Sequence, residues 1–170
     1  RLGGSGLHLH RHCWRNRVEK CAFRDIGANG VMIGEPGVPP KFDKNNVVNE
    51  EVSTENAISN CTVEHCGQLD FGAVGIWIGI AARNKVTDNK VRHLPYTGVS
   101  VGWRWDTTWT PCFANEVTGN HIHHVLQKMS DGGGIYTLGR QEGTKLVNNK
   151  IHNIPVNLGR AESNGIFMDE

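Results

Sequence analysis

Two short stretches of the sequence carry carboxylates at points where an acid or base could act. Asp131 directly precedes three glycines in SDGGGIYTLG, residues 130–139, and Asp169 and Glu170 end the stretch GIFMDE. A carboxylate held in position can donate or accept a proton during a reaction. Ser-Asp-Gly is also a common turn sequence, because the Asp side chain accepts a hydrogen bond from the backbone that follows and Gly tolerates a positive φ. These residues alone do not decide whether Asp131 is a catalytic carboxylate or a turn residue.

Three tryptophans lie in a short loop one repeat before Asp131. Trp103, Trp105 and Trp109 occur within WRWDTTWTPC, residues 103–112, together with Asp106. Aromatic faces complement the apolar C–H faces of sugar rings, so three indoles beside an acid suit a saccharide subsite. An indole can equally cap an open core, and Trp103 is the one we expect to do so.

The nine histidines raise the question of a metal site. His8, His10 and His12 alternate, and His121, His123 and His124 cluster. Catalytic zinc needs three ligands that converge on one point, whereas neighbours on one face of a strand lie about 7 Å apart and diverge. We therefore predict no metal and no cofactor. We expect instead that histidines of successive coils stack as a ladder formed by His65, His93 and His124. His123 or His152 could reach a substrate-binding cleft.

A repeat organises the whole chain. Each copy has a short apolar stretch with Asn, Thr or Cys at fixed positions, followed by a second apolar stretch that opens with glycine. The copies recur every 28 to 40 residues. This spacing is too loose for helical-pair repeats and natural for β-coils with loop insertions. The copies begin at Asn16, Asn56, Asn84, Asn115 and Thr144, and their glycine-led strands at Gly30, Gly75, Gly98, Gly134 and Gly165.

One such unit cannot bury its apolar face, so successive coils must stack with parallel strands about 4.8 Å apart. The sequence therefore predicts an all-β parallel β-helix of about five coils, built from two strands per coil. Residues 1–170 form one domain with insertions at about 35–55 and 103–112, and residues 44–57 could hold a helical turn. We expect the Asn side chains at equivalent positions of successive coils to form hydrogen bonds along the stack. Two cysteines share the column with three asparagines; its members are Cys21, Cys61, Asn89, Asn120 and Asn149.

The composition of the chain argues against some classes of binding partner. A net charge of +1 and the lack of a long apolar run argue against nucleic acid and a membrane span. Five cysteines cannot all pair within the chain, and they read as small core residues, although Cys21 and Cys61 could approach each other. The start at Arg1, without Met, and the abrupt end at Glu170 suggest a fragment of a larger protein.

Several stretches resemble a known group of enzymes. TGVSVGWRWD, NHIHHV, SDGGGIYTLG, NNKIHNI and GIFMDE are similar to consecutive coils of right-handed parallel β-helix glycoside hydrolases. The resemblance is to glycoside hydrolase family 141, with its α-L-fucosidases and xylanases, and more distantly to the β-helix β-xylosidases. It covers Thr97 to Glu170 well and the first half only through the generic repeat. The family commonly reads Met-Gly-Gly after the Asp, and an aromatic-rich GIY ahead of Asp-Glu, where this chain has Gly132–Gly134 and Gly165–Met168.

The resemblance implies cleavage of a glycosidic bond in a plant- or algal-type glycan, by a secreted or periplasmic bacterial enzyme. Two carboxylates share that chemistry: one protonates the leaving oxygen, and the other attacks the anomeric carbon or activates water. Carried over by position, they are Asp131 and Asp169, with Glu170 as a substitute for Asp169. Three glycines would then let a sugar approach the sheet beside Asp131. The expected substrate contacts are Trp103, Trp105, Asp106, Trp109, His123, Tyr136 and Glu142.

The spacing of the two acids poses a difficulty. Straight strands would separate Asp131 from Asp169 by up to about 23 Å, at about 3.3 Å per residue. Either the glycines bulge and fold Asp131 back over the strand, or another acid, Asp106 or Glu142, faces Asp169.

Two other functions share the predicted scaffold. A polysaccharide lyase would use a Lys or Arg base, such as Lys128 or Arg140, usually with calcium. A noncatalytic adhesion protein would have no cleft joining the tryptophan loop to paired acids, since fold does not fix function.

Overall fold

A computed structural model describes residues 2–38, 51–156 and 161–170, which contain sixteen strands in three sheets and no helix. We name the sheets A, B and C in the order in which a coil passes through them. Sheet A contains β1 (Leu7–Leu9), β4 (Val31–Ile33), β7 (Ile76–Ile78), β10 (Val99–Val101), β13 (Gly132–Leu138) and β16 (Ser163–Asp169). Sheet B contains β2 (Arg17–Glu19), β5 (Ala57–Ser59), β8 (Lys85–Thr87), β11 (Glu116–Thr118) and β14 (Lys145–Val147). Sheet C contains β3 (Ala22–Arg24), β6 (Thr62–Glu64), β9 (Lys90–Arg92), β12 (His121–His123) and β15 (Lys150–His152).

Every strand pairs in parallel with the equivalent strand of the next coil. In sheet A, Val99 of β10 pairs with Ile76 of β7 on one side and with Ile135 of β13 on the other. The predicted parallel β-helix is confirmed, and the five glycine-led segments lie side by side in sheet A. The prediction of two strands per coil is wrong, because each coil contributes three strands, one to each sheet.

The third strand arises from left-handed backbone at a corner. The stretch that reads as one strand in sequence is broken between sheets B and C by a residue with φ between 53° and 70°, in every coil. A non-glycine residue in this conformation costs about 1–2 kcal/mol, so the stacked structure must hold it in place. These corner residues are Lys20, Asn60, Asp88, Gly119 and Asn148.

The interior ladder offsets that cost. The side-chain oxygen of Asn120 accepts hydrogen bonds from the backbone and the amide of Asn89, both at 3.0 Å. Asn149 accepts in the same way from Asn120. The backbone N–H of Cys61 continues the column by donating to Asn89 at 2.9 Å. The predicted ladder is therefore confirmed, and a second one joins the residues that precede sheet B: Asn16, Asn56, Asn84 and Asn115.

Two further expectations concern the insertion and the cysteines. Of the stretch expected to hold a helical turn, residues 44–50 lie outside the described residues, residues 51–56 form an irregular segment without a helix, and residue 57 begins β5. Most of the 35–55 insertion also lies outside the described residues.

All five cysteines are free. No described helix is long and apolar enough to cross a membrane.

Candidate functional site

The outward face of sheet A carries a row of three aromatic side chains and one serine. Trp77, Ser100, Tyr136 and Phe167 occupy matching positions on consecutive strands. Trp103 packs edge-on against Trp77, with ring centroids 5.5 Å apart. The row is therefore covered by protein at the Trp77 end.

The tryptophans of the loop differ in their surroundings. Trp103 is half-buried and packs against the hydrophobic core, as expected for the indole that caps it. Trp105 meets Trp103 at 4.9 Å and is 55% exposed, so its face is open to a ligand. Trp109 stacks on Phe113 at 6.2 Å. The loop lies on the edge where Asp169 lies, because Gly139, packed against Arg104, donates its N–H to the Asp169 carbonyl.

A tyrosine holds the carboxylate of Asp169. The Tyr136 hydroxyl donates to Oδ2 of Asp169 at 2.6 Å, across the pair formed by β13 and β16. Burial raises the pKa of Tyr136 well above its usual range, and the hydrogen bond to Asp169 and the carboxylate's charge raise it further. The carboxylate is thus fixed in one orientation on the sheet A face.

Asp131 lies at the opposite end of β13, in the left-handed conformation with φ of 63°. Its N–H donates to the carbonyl of Glu162 at 2.9 Å, and its own carbonyl accepts from the Tyr96 hydroxyl at 2.5 Å. Burial raises the pKa of Tyr96, and the charges of both Asp131 and Asp169 add to the increase. The same two charges act on Tyr136.

The glycines after Asp131 bend the strand. A Cβ on Gly133 would lie 2.5 Å from the carbonyl oxygen of Ile135, two residues further along. Residues two apart in an extended strand are separated by about 6.6 Å, so the backbone is tightly folded here. The separation of about 23 Å that a straight strand would impose is therefore an upper limit.

The idea that these glycines open a path for a sugar is wrong. All three are buried. A Cβ on Gly132 would lie 2.5 Å from the Thr97 hydroxyl, and one on Gly134 would lie 2.5 Å from Cγ2 of Ile151. The space above each glycine is therefore filled by protein, and close packing explains the glycine run.

The alternative acids are tied to their own neighbours. Asp106 accepts from Arg104 and from the backbone of Thr108, and these hydrogen bonds hold its pKa below the usual range. Glu142 pairs with Arg140. Neither pairing involves Asp169.

Glu170 lines a cleft of about 290 Å³ at the end of sheet A together with Asp169 and Gln141. A larger cavity, of about 640 Å³, lies on sheet B, and the described residues that line it include one acid, Glu55, which is bonded to Arg15 at 2.7 Å. We place the candidate site on sheet A, because Asp169 and Glu170 line the cleft there and the exposed Trp105 lies on the loop at the same edge.

The prediction that His123 lines the cleft is corrected by its position. His123 lies on β12 of sheet C, 8% exposed, and its ring stacks on His152 at 5.0 Å. Burial and the neighbouring histidines lower its pKa to about 4. The expected histidine ladder is confirmed: His65 stacks on His93 at 5.2 Å, and His93 contacts His124 at 5.0 Å. The side chains most suited to hold a metal thus lie on sheet C, away from the acids.

Sequence reasoning missed two residues of the site. Tyr96 comes two residues before Gly98, the opening glycine of its strand, and Glu162 follows Asp131 by the same interval that separates Gly134 from Gly165. The repeat register alone would have placed Glu162 beside Asp131. Tyr96 does not occupy one of the recurring positions of the repeat, so the repeat could not predict its role.

The two bases proposed for a lyase are both engaged elsewhere. The Lys128 ammonium lies 3.7 Å from the ring centroid of Phe71, and Arg140 is paired with Glu142. Neither contact involves the carboxylates of sheet A.

Comparison with known proteins agrees with the observed fold. A solved structure named "Glycoside hydrolase" aligns with 98% of this chain at a TM-score of 0.80 and 24% sequence identity. At this identity the likeness shows the fold alone, and the chain spans 34% of that protein. No curated protein matches the sequence at a significant level. Residues 5–169 match the family model described as "Right handed beta helix region". The chain therefore belongs to the right-handed β-helix family.

Proposed function

We propose that this chain forms the catalytic face of a glycoside hydrolase, with Asp169 and Asp131 as its two carboxylates. The observation that carries the proposal is the hydrogen bond from Tyr136 to Asp169 at 2.6 Å, which holds that carboxylate on the sheet A face. The structural likeness to a protein named glycoside hydrolase adds support at the level of the fold.

The geometry suggests a division of roles. Asp169, fixed by Tyr136, acts at the anomeric carbon, either by direct attack or by activating water. Asp131 is exposed at the other side of the bend and protonates the leaving oxygen. The exposed face of Trp105 supports a sugar ring by stacking.

The resemblance described above suggests the substrate and the location. Fucosyl or xylosyl residues of a plant- or algal-type polysaccharide or oligosaccharide are the substrates we propose. A secreted or periplasmic bacterial protein would meet such glycans.

Turnover of aryl fucosides and xylosides tests the proposal. We expect Asp169→Asn to lower kcat/KM by at least about 10³-fold with every leaving group, because no other group replaces the carboxylate at the anomeric carbon. Asp131→Asn should cost more for a poor leaving group than for a good one, since a good leaving group departs without protonation.

Asp70→Asn is the matched control. Its carboxylate is exposed and accepts the backbone N–H of Gly72 in a turn, a bond that an amide oxygen can also accept. It should retain full activity. Undiminished turnover in Asp169→Asn would refute the proposal, and loss only in Asp106→Asn or Glu142→Gln would move the second acid to the loop edge.

A further inference from the structure

The outer face of sheet C and the corner that follows it carry six histidines in contact. His121, His123 and His152 project from the strands, and His65, His93 and His124 occupy the corner. Rings from different coils meet, because the repeat places them in register. No residue of this group takes part in the sheet A site proposed above.

Three of these histidines converge on one point. The ligating nitrogens of His93, His123 and His124 all lie within 4.8 Å of one another. His123 and His124 are adjacent in sequence, and their Nδ1 atoms are 2.7 Å apart. His93 joins them from the preceding coil, with its ring centroid 5.0 Å from that of His124.

Left-handed backbone produces this convergence. Consecutive residues of a strand point to opposite faces, which would separate His123 from His124. His124 has φ of 53° and His93 has φ of 54°, so the chain turns at the corner and brings both rings beside that of His123. The expectation that neighbouring histidines diverge applies within a strand and fails at this corner.

We propose that His93, His123 and His124 bind a zinc ion, with the remaining position open to water. Three imidazoles and a water are a recognised tetrahedral zinc set. Calcium and magnesium require oxygen ligands, and the nearby carboxylate of Glu64 is already bonded to Arg24 at 2.7 Å and to Arg92 at 2.6 Å. The ion would tie two adjacent coils together, because His93 precedes the other two by one coil.

Isothermal titration of the metal-free protein with Zn²⁺ tests the site. We expect one zinc per chain, and a midpoint of thermal unfolding that rises as zinc is added, because the ion binds only the folded state. Replacing zinc with Co²⁺ should give the intense visible absorption of a tetrahedral site. Mg²⁺ and Ca²⁺ should produce none of these changes.

Single substitutions decide between the ligands. His93→Ala and His124→Ala should each weaken zinc affinity by at least about tenfold, while circular dichroism confirms that the variants fold. His65→Ala is the matched control, because it removes a stacked ring from the same corner outside the convergent set, and it should bind zinc as the wild type does. No zinc binding by the wild type, wild-type affinity in both His93→Ala and His124→Ala, or loss of binding only in His121→Ala or His152→Ala would each overturn the proposal.

Discussion

The interior corner between sheets B and C and the outer face of sheet A use polar side chains in opposite ways. At the corner, buried Asn89 and Asn120 bond to each other and to the backbone. On sheet A, the carboxylate of Asp169 is held by the hydroxyl of Tyr136, and on the adjoining loop the Trp105 ring is exposed. The corner is satisfied by the stack itself, so its residues serve stability. The sheet A face contains groups that the stack does not need, which is what a ligand-binding surface requires.

Removing a ladder amide should have the largest effect on stability. In Asn120→Ala, the backbone N–H and the amide of Asn89 lose their acceptor, and the carbonyl of Val86 loses its donor. Unsatisfied buried polar groups cost about 1–3 kcal/mol each, so we expect the free energy of unfolding to fall by about 3–6 kcal/mol, measured by urea denaturation.

Asn164→Ala is the comparison for this variant. The Asn164 amide donates to the Glu162 carboxylate at 3.0 Å in an exposed position, where water can replace the bond. Its loss should cost less than about 1 kcal/mol. Equal losses in the two variants would contradict the distinction between corner and face.

Two glycines offer a second, smaller test, because one position is crowded and the other is open. A Cβ at Gly134 would lie 2.5 Å from Ile151 and 2.9 Å from the carbonyl of Gly165, whereas a Cβ at Gly72 would lie 3.4 Å from Oδ1 of Asp70, an ordinary contact. Gly134→Ala should therefore destabilise the protein by about 1–3 kcal/mol. Gly72→Ala should change stability by less than about 0.5 kcal/mol, as thermal unfolding of the two variants can show.

A destabilised Gly72→Ala would mean that glycine is required there for its backbone rather than for the space around it. A neutral Gly134→Ala would mean that Ile151 moves aside, and that this position carries no packing constraint.

The repeat made the fold predictable, because each coil repeats the same solution to the same packing problem. Asn120 and Gly134 recur at fixed offsets, so their ladder and column positions follow from the sequence. The division of each coil into three strands was not predictable from apolar spacing, since residues as different as Lys20 and Gly119 adopt the same left-handed conformation. That conformation is fixed by the bonds of the neighbouring coils.

The site was less predictable than the fold. Strand arithmetic assumes an extended backbone, whereas the backbone is tightly folded at Gly133, so the separation that it gives for the two acids is only an upper limit. The convergence of His123 with His124 depends on a corner that alternation does not describe. In both cases a local rule failed where the backbone leaves the extended conformation.

The smallest expected effect addresses the sheet A face directly. The chain has two tyrosines, Tyr96 and Tyr136, and both belong to the candidate site, so the ultraviolet absorbance of phenolate reports on this face alone. Because both pKa values are raised in the folded protein, the phenols should ionise above their ordinary value of about 10. The stability associated with them is present below about pH 10 and is lost as the pH rises further.

Substitution of each acid then measures how close it lies to the phenols. Asp169→Asn removes a negative charge hydrogen-bonded to Tyr136, so the pKa of Tyr136 should fall toward 10, although burial keeps it raised. Asp131→Asn should lower the pKa of Tyr96, and that of Tyr136 to a smaller extent. Asp70→Asn should change neither. If Asp131→Asn left both phenols unaffected, the bend would not bring Asp131 near the face, and Asp169 would need a different catalytic partner.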